Sequence, residues 1–135
     1  MAKEKNNQSF LKKKYRKKSF LIRKQASTYI YYSSFNASKK IISFLKITPK
    51  DIVGCYWPIN NELDTRPLIS ILSLKNIRIA LPIIVDEKMI FKTWKSSEKL
   101  YFSKYKFYSP HKSATTLTPS IIITPALAVD FNGNR

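Results

Sequence analysis

Two short stretches hold the residues whose types and spacing could do chemistry. CYWPINNELDT (55–65) sets the aromatic pair Tyr56 and Trp57 at the end of an apolar run, with a lone carboxylate, Glu62, four residues after Pro58. Aromatic walls plus one carboxylate suit a flat heterocycle with adjacent N–H donors, such as a pterin, because a carboxylate accepts two such hydrogen bonds. The plainer alternative is a tryptophan that fills the core and a glutamate that faces water. KKKYRKKSFLIRK (12–24) places Lys12 and Arg16 four apart, on one side of a helix, with Arg23 about two turns further along that side. Such a cationic stripe can clamp a polyphosphate, arginine giving forked contacts, or it can simply be a solvated face.

Other chemistry is poorly served. The single histidine, His111, sits in a polar loop, a weak position for a metal ligand or general base. No Ser/His/Asp grouping, zinc spacing or complete glycine-rich phosphate loop occurs, and the single glycine of DFNGNR (130–135) marks only a turn. The lone cysteine, Cys55, lies in the apolar run DIVGCYW, where it reads as a small buried hydrophobe.

At 135 residues and 44% hydrophobic, the chain suits one domain with its own core. It has no apolar stretch near the roughly 18 residues of a membrane helix, and charges stand where a signal peptide has its apolar region. A reducing, cytoplasmic setting and no membrane partner are therefore expected. The net charge of +17 invites a nucleic-acid reading. Twenty of the 25 basic residues are lysine, and isoleucine is abundant, a skew that an AT-rich genome produces by codon drift. Drift does not explain position: residues 1–24 carry a local +9.

The elements that must position these groups follow from periodicity. A helix is expected over 8–25, with Phe10, Leu11, Tyr15, Ser19 and Ile22 as its inward face, and residues 1–11 as a flexible basic N-terminus. A second helix is expected over 34–45, with Phe35, Ile41, Ile42 and Leu45 inward, closed by Thr48-Pro49. DIVGCYW (51–57), IRIAL (77–81) and SIIIT (120–124) read as buried strands, each followed by a proline, and RPLISILSLKN (66–76) as the helix of a parallel βαβ unit. KMIFKTW (88–94) alternates like a less buried strand pairing after Asp86-Glu87, and 96–119 reads mostly as loop. Open parallel sheets bind ligands beyond the carboxyl ends of their strands. On the assumption that the prolines mark those ends, the candidates are Tyr56, Trp57 and Glu62, the chain from Pro82 onward, and 130–135.

Taken in order, the basic helix with Lys12, Arg16 and Arg23, then YWPINNELDT, IRIALPII, MIFKTW and PSIIITPALAVDFNGNR resemble the 5-formyltetrahydrofolate cyclo-ligase family over nearly the whole chain from Lys12. The resemblance implies a three-layer α/β fold, a mostly parallel sheet with helices on both faces. It implies ATP-dependent closure of 5-formyltetrahydrofolate to methenyltetrahydrofolate, with ATP and Mg²⁺ required, by a monomer. By carry-over, Lys12, Lys13, Lys14, Tyr15 and Arg16 match the ATP contacts of the first helix and Arg135 the start of a phosphate loop. Trp57 and Glu62 match folate contacts, Phe91 and Trp94 line the folate pocket, and no catalytic residue or metal ligand is assigned. In the family the turn here written VDFNGNR runs into a glycine-rich LGxGxGYYD loop, so a member lacking its C-terminal part, and inactive for that reason, is expected. Ser109 stands where the family often has an acidic residue. The alternatives are a small basic RNA-binding protein, whose lysines and tyrosines would hold phosphates and bases, and a non-functional remnant of the enzyme.

Overall fold

The structure, a computed structural model, describes the backbone of residues 2–134 and the side chains of 9–26 and 29–134. Helix α1 (Ala2–Gln25) leads through a 3₁₀ turn (Ala26–Tyr29) into α2 (Ile30–Leu45). Both helices start before the positions that periodicity marks, since Ala2 to Asn7 and Ile30 to Ser33 contain no residue that breaks a helix. Helix α2 stops at Lys46, whose φ of 49° turns the chain out of the helix. Asp51 accepts hydrogen bonds from the Thr48 amide and hydroxyl at 2.8 and 2.9 Å and sets the entry to the sheet.

Strand β1 (Ile52–Gly54), helix α3 (Arg66–Leu74) and strand β2 (Arg78–Val85) form the expected βαβ unit, with β1 and β2 parallel in the register Val53↔Ile79. Pro67 sits in the first turn of α3, where its missing N–H costs nothing. Asp86 and Glu87, both at positive φ, turn β2 back into β3 (Lys88–Thr93). Within 96–119 the structure adds a small hairpin, β4 (Tyr101–Phe102) with β5 (Tyr108–Ser109), and the short strand β6 (Thr116–Leu117). Strand β7 (Ile121–Ile122) completes a five-stranded sheet in the order β6-β3-β2-β1-β7. β3 alone runs antiparallel to the other four, so the sheet is mixed but mostly of one direction, and the α/β class read from the sequence stands.

The core lies between one sheet face and the two helices that follow α1. Val53, Cys55, Ile79, Leu81 and Trp94 meet Leu68, Ile69 and Leu72 of α3, with Ile41 and Ile42 of α2 packed alongside. On the opposite face the strands approach closely: a Cβ on Gly54 would meet Phe91 and Pro119 at 3.0 Å, which glycine avoids. Burial pushes the Cys55 thiol up to about 12, in keeping with a packing role.

Two expectations need correction. Pro82 does not end its strand; β2 continues to Val85. Ile79 accepts from Trp94 on the β3 side and Ala80 from Cys55 on the β1 side, so alternation turns the Pro82 nitrogen toward β1, which has already left the sheet. The other correction concerns α1. The helix forms, but Phe10, Leu11, Tyr15 and Ile22 are exposed, and Phe10 retains 66% of its accessible surface. No described element lies across them, so the periodicity marks an apolar face without marking its cover. On α2, likewise, Phe35 and Leu45 stay exposed while Ile41 and Ile42 pack.

Candidate active site

The sheet sets the site's location. β1 lies between β2 on one side and β7 on the other, and the segments that follow β1 and β7 line a common crevice. The loop after β1 is held from within. Asn60 and Asn61 adopt φ of 50° and 58°, a left-handed pair that asparagine tolerates. The Glu62 amide donates to Ile59 O at 3.0 Å and the Glu62 Oε2 accepts from the Ile59 amide at 3.0 Å. Half-buried Glu62 therefore closes its own turn with one oxygen, while its Oε1 has no partner among the described residues.

Neighbouring groups fix the rest of the loop. The Tyr56 hydroxyl donates to Leu63 O at 2.7 Å, the Thr65 hydroxyl donates to Tyr56 O, and the Asp64 amide donates to the Ser34 hydroxyl at 2.8 Å. Burial and then the Glu62 charge push the Tyr56 phenol up to about 12, so it stays a protonated donor. Asp64 is buried, and burial alone would raise its carboxyl. Hydrogen bonds from the Arg66 side chain and amide, with the guanidinium charge, outweigh burial and hold it below the usual range.

Two hollows flank this loop. The smaller, of about 390 Å³, is lined by Trp57, Asn61, Glu62, Tyr31 and Arg66 among others. The larger, of about 1340 Å³, runs between α1, the turn at 59–62 and the chain after β7. Of the five residues that the family resemblance assigns to ATP, Lys12, Lys13, Tyr15 and Arg16 line the larger and Lys14 does not. Glu62 lines both hollows and Trp57 only the smaller. Arg135 lies outside the described residues.

The two remaining candidates are placed elsewhere. Trp94 is 6% exposed and belongs to the core. Its ring meets Trp57 edge-on at 5.6 Å and 71°, and its Nε1 donates to Glu98 O at 3.1 Å. Trp94 thus supports Trp57 and lines neither hollow. Phe91 is on the other sheet face beside Gly54 and Pro119, and it too lines neither.

Sequence reasoning missed Asn60, Tyr31 and Arg66 as lining residues. The Asn-Asn pair was a legible turn signal; Tyr31 and Arg66 reach the site only through tertiary contact. Asp130 accepts from the amides of Asn132 and Asn134 at 2.9 Å and from the Asn134 side chain, bonds that hold its carboxyl below the usual range and bend the chain along the larger hollow. His111 pairs with the Ser113 hydroxyl at 2.7 Å, away from both hollows. Among the described residues no group of three or more His, Cys, Asp or Glu side chains gathers to hold a metal ion, and no helix is long and apolar enough to cross a membrane.

The crevice is walled by a cationic helix on one side and by an aromatic–carboxylate loop on the other. The 5-formyltetrahydrofolate cyclo-ligase family matches residues 5–135, and the chain belongs to that family. Among solved structures, the chain is similar to the 5,10-methenyltetrahydrofolate synthetase of Aquifex aeolicus, determined by NMR, with a TM-score of 0.68 and 26% identity over 89% of this chain and 63% of that one. It also shares the fold of a 5,10-methenyltetrahydrofolate synthetase from Mycoplasma pneumoniae, with a TM-score of 0.53 and 16% identity over 90% of this chain and 65% of that one. The chain spans less than two thirds of the length of either structure. No curated protein matches it.

Proposed function

We propose that this chain supplies the pterin pocket and the cationic wall of the phosphate site of an ATP-dependent 5-formyltetrahydrofolate cyclo-ligase, a cytoplasmic enzyme of one-carbon metabolism that takes two small-molecule substrates and acts as a monomer. The observation that carries the reading is that Glu62 lines both hollows. A pterin in the smaller hollow has Trp57 along its face and the free Glu62 oxygen against its N–H edge, and a volume near 390 Å³ falls in the range of ligand pockets. A triphosphate in the larger hollow lies along Lys12, Lys13 and Arg16, with Tyr15 beside it. The formyl group, attached to the pterin, then faces the phosphates across Glu62.

The chemistry asks for little more than this juxtaposition. The formyl oxygen takes the γ-phosphoryl group as ADP leaves, which turns a poor leaving group into a good one. The neighbouring nitrogen attacks the activated carbon, gives up its proton, and phosphate departs as the ring closes. Phosphoryl transfer depends on positioning and charge neutralisation, so the reading does not require a nucleophile–base pair; the His111–Ser113 pair lines neither hollow and is given no part in it. The Mg²⁺ that the family resemblance implies finds no ligand set among the described residues, and no step is assigned to it.

The test is titration calorimetry with 5-formyltetrahydrofolate and with ATP, followed by the appearance of methenyltetrahydrofolate absorbance when both are present with Mg²⁺. Saturable binding of the folate in a one-to-one complex supports the reading. An absence of folate binding by folded protein would sink it. Binding of a single-stranded RNA in place of both ligands, weakening steeply with salt, would favour the basic RNA-binding alternative.

A further inference from the structure

Arg23 stands apart from the other cations of α1. It is half-buried where Lys12, Lys13 and Arg16 are exposed, and its Nε is shut off from solvent with no hydrogen-bond partner among the described residues. The Phe20 ring, 5.5 Å from the guanidinium carbon, attracts the charge without supplying an oxygen acceptor. Arg23 shares the larger hollow with Glu62, yet the single ion pair among the described residues joins Asp64 and Arg66. A guanidinium N–H withdrawn from water and left unmatched is explained where a ligand brings the acceptor.

Helix geometry says which ligand atoms these are. Arg16 and Arg23 are seven residues apart, so they point to the same side of α1 with about 10 Å between them along the axis, and Lys12 lies a turn further back. Arg23 is the cation at the Glu62 end of this line: the Tyr56 phenol feels the charges of both Glu62 and Arg23. With the nucleotide along Lys12 and Arg16 and the pterin at Glu62, Arg23 occupies the interval between phosphoryl donor and acceptor.

Resting on the function proposed above, we propose that Arg23 binds the γ-phosphoryl group at the point of transfer, donating from Nε and one Nη to two of its non-bridging oxygens. In that step the bond from the γ-phosphorus to the bridging oxygen breaks, its electron pair leaving with ADP, and a bond from phosphorus to the formyl oxygen forms. The three non-bridging oxygens keep their charge throughout, and a forked donor matches two of them in a way that lysine cannot.

The experiment follows the arginine Nε–H signals of ¹⁵N-labelled protein, that of Arg23 identified by its loss in R23K, during titration with ADP, ATP and 5-formyltetrahydrofolate. The expected result is that ADP moves the Arg16 signal alone, ATP moves both, and the folate alone leaves Arg23 in place. In calorimetry R23K and R23Q should weaken ATP binding by about tenfold while leaving ADP binding nearly unchanged, because only the γ-phosphoryl contact is lost. Amide spectra matching the parent protein establish that the variants fold. An Arg23 signal that moves equally with ADP and ATP, one that moves with folate alone, or one that stays still while Arg16 moves would overturn the proposal and leave the proposed function standing. If neither nucleotide moves any signal from α1, the proposal and the nucleotide half of the function fail together.

Discussion

At the residue scale the decisive group is Glu62, because one carboxylate does two jobs. Its Oε2 closes the turn at Ile59, and its Oε1, without a partner among the described residues, is the atom that the proposed function gives to the pterin. Glu62→Gln keeps the shape and can keep the turn bond through its amide oxygen, which leaves an amide N–H₂ facing the pterin N–H groups. Folate binding should weaken by roughly 2–4 kcal/mol, with ATP binding nearly unchanged, as titration calorimetry will read. Trp94 offers a contrasting test, since the structure makes it a support for Trp57. Trp94→Phe loses the bond to Glu98 O and part of the edge contact, so a denaturant midpoint should fall by an equivalent of about 1–2 kcal/mol. Folate affinity should fall less than in Trp57→Ala, and the reverse order would put Trp94 against the ligand.

At the scale of elements, the amino end of α3 couples the site loop to pH. The folded chain holds the Asp64 carboxyl below its ordinary value, so the unfolded chain takes up a proton first as pH falls. The stabilisation is therefore fully present above the ordinary aspartate pKa of about 3.9 and drains away as pH drops through the depressed value. Asp64→Asn should lose about 1 kcal/mol at neutral pH, since the Arg66 end of the pair is open to solvent, and should show a shallower decline in urea-unfolding stability between about pH 5 and pH 3. Parallel declines in the two proteins would remove Asp64 from the acid response. The βαβ unit holding this pair was legible in the sequence because both its strands and its helix are buried in the usual periods, Val53 and Ile79 against Leu68 and Leu72. The turn at 59–62 was half legible: Asn-Asn announces it, but nothing local says that Glu62 will bond back to Ile59. Phe91 lies in β3 and Trp94 directly follows it; three positions apart in extended chain they fall on opposite faces of the sheet, which the alternation of KMIFKTW already implied. Pro82 misled, because a proline interrupts pairing only on the side its nitrogen faces, and there β1 has already ended while β3 continues on the other side.

For the whole molecule, charge and exposed apolar surface dominate. A net +17 on 135 residues opposes compaction through self-repulsion, and the cations of α1 sit beside exposed Phe10, Phe20, Leu21 and Ile22. Raising sodium chloride from roughly 0.05 M to 0.5 M shortens the screening length severalfold and should raise the melting temperature. A flat or falling response would show that the positive charges are already compensated by contacts within the fold. The same surface gives an independent check on α1: a dye that fluoresces on apolar surface should bind the folded protein, and removing Phe10, Leu21 and Ile22 together should reduce the signal.

The proline inside β2 has a consequence for the site itself. Cys55 stands opposite Leu81 in the parallel register, and the next rung would join the Cys55 carbonyl to the amide of residue 82. Proline has no hydrogen to offer there. The sheet is thereby unzipped one residue before Tyr56, and the two strands part like the arms of a fork: β2 bends away into its hairpin with β3, and the other arm is released to carry Trp57 and Glu62 out over the crevice. A single missing proton on the backbone sets where the sheet stops being scaffold and the loop that lines both hollows begins.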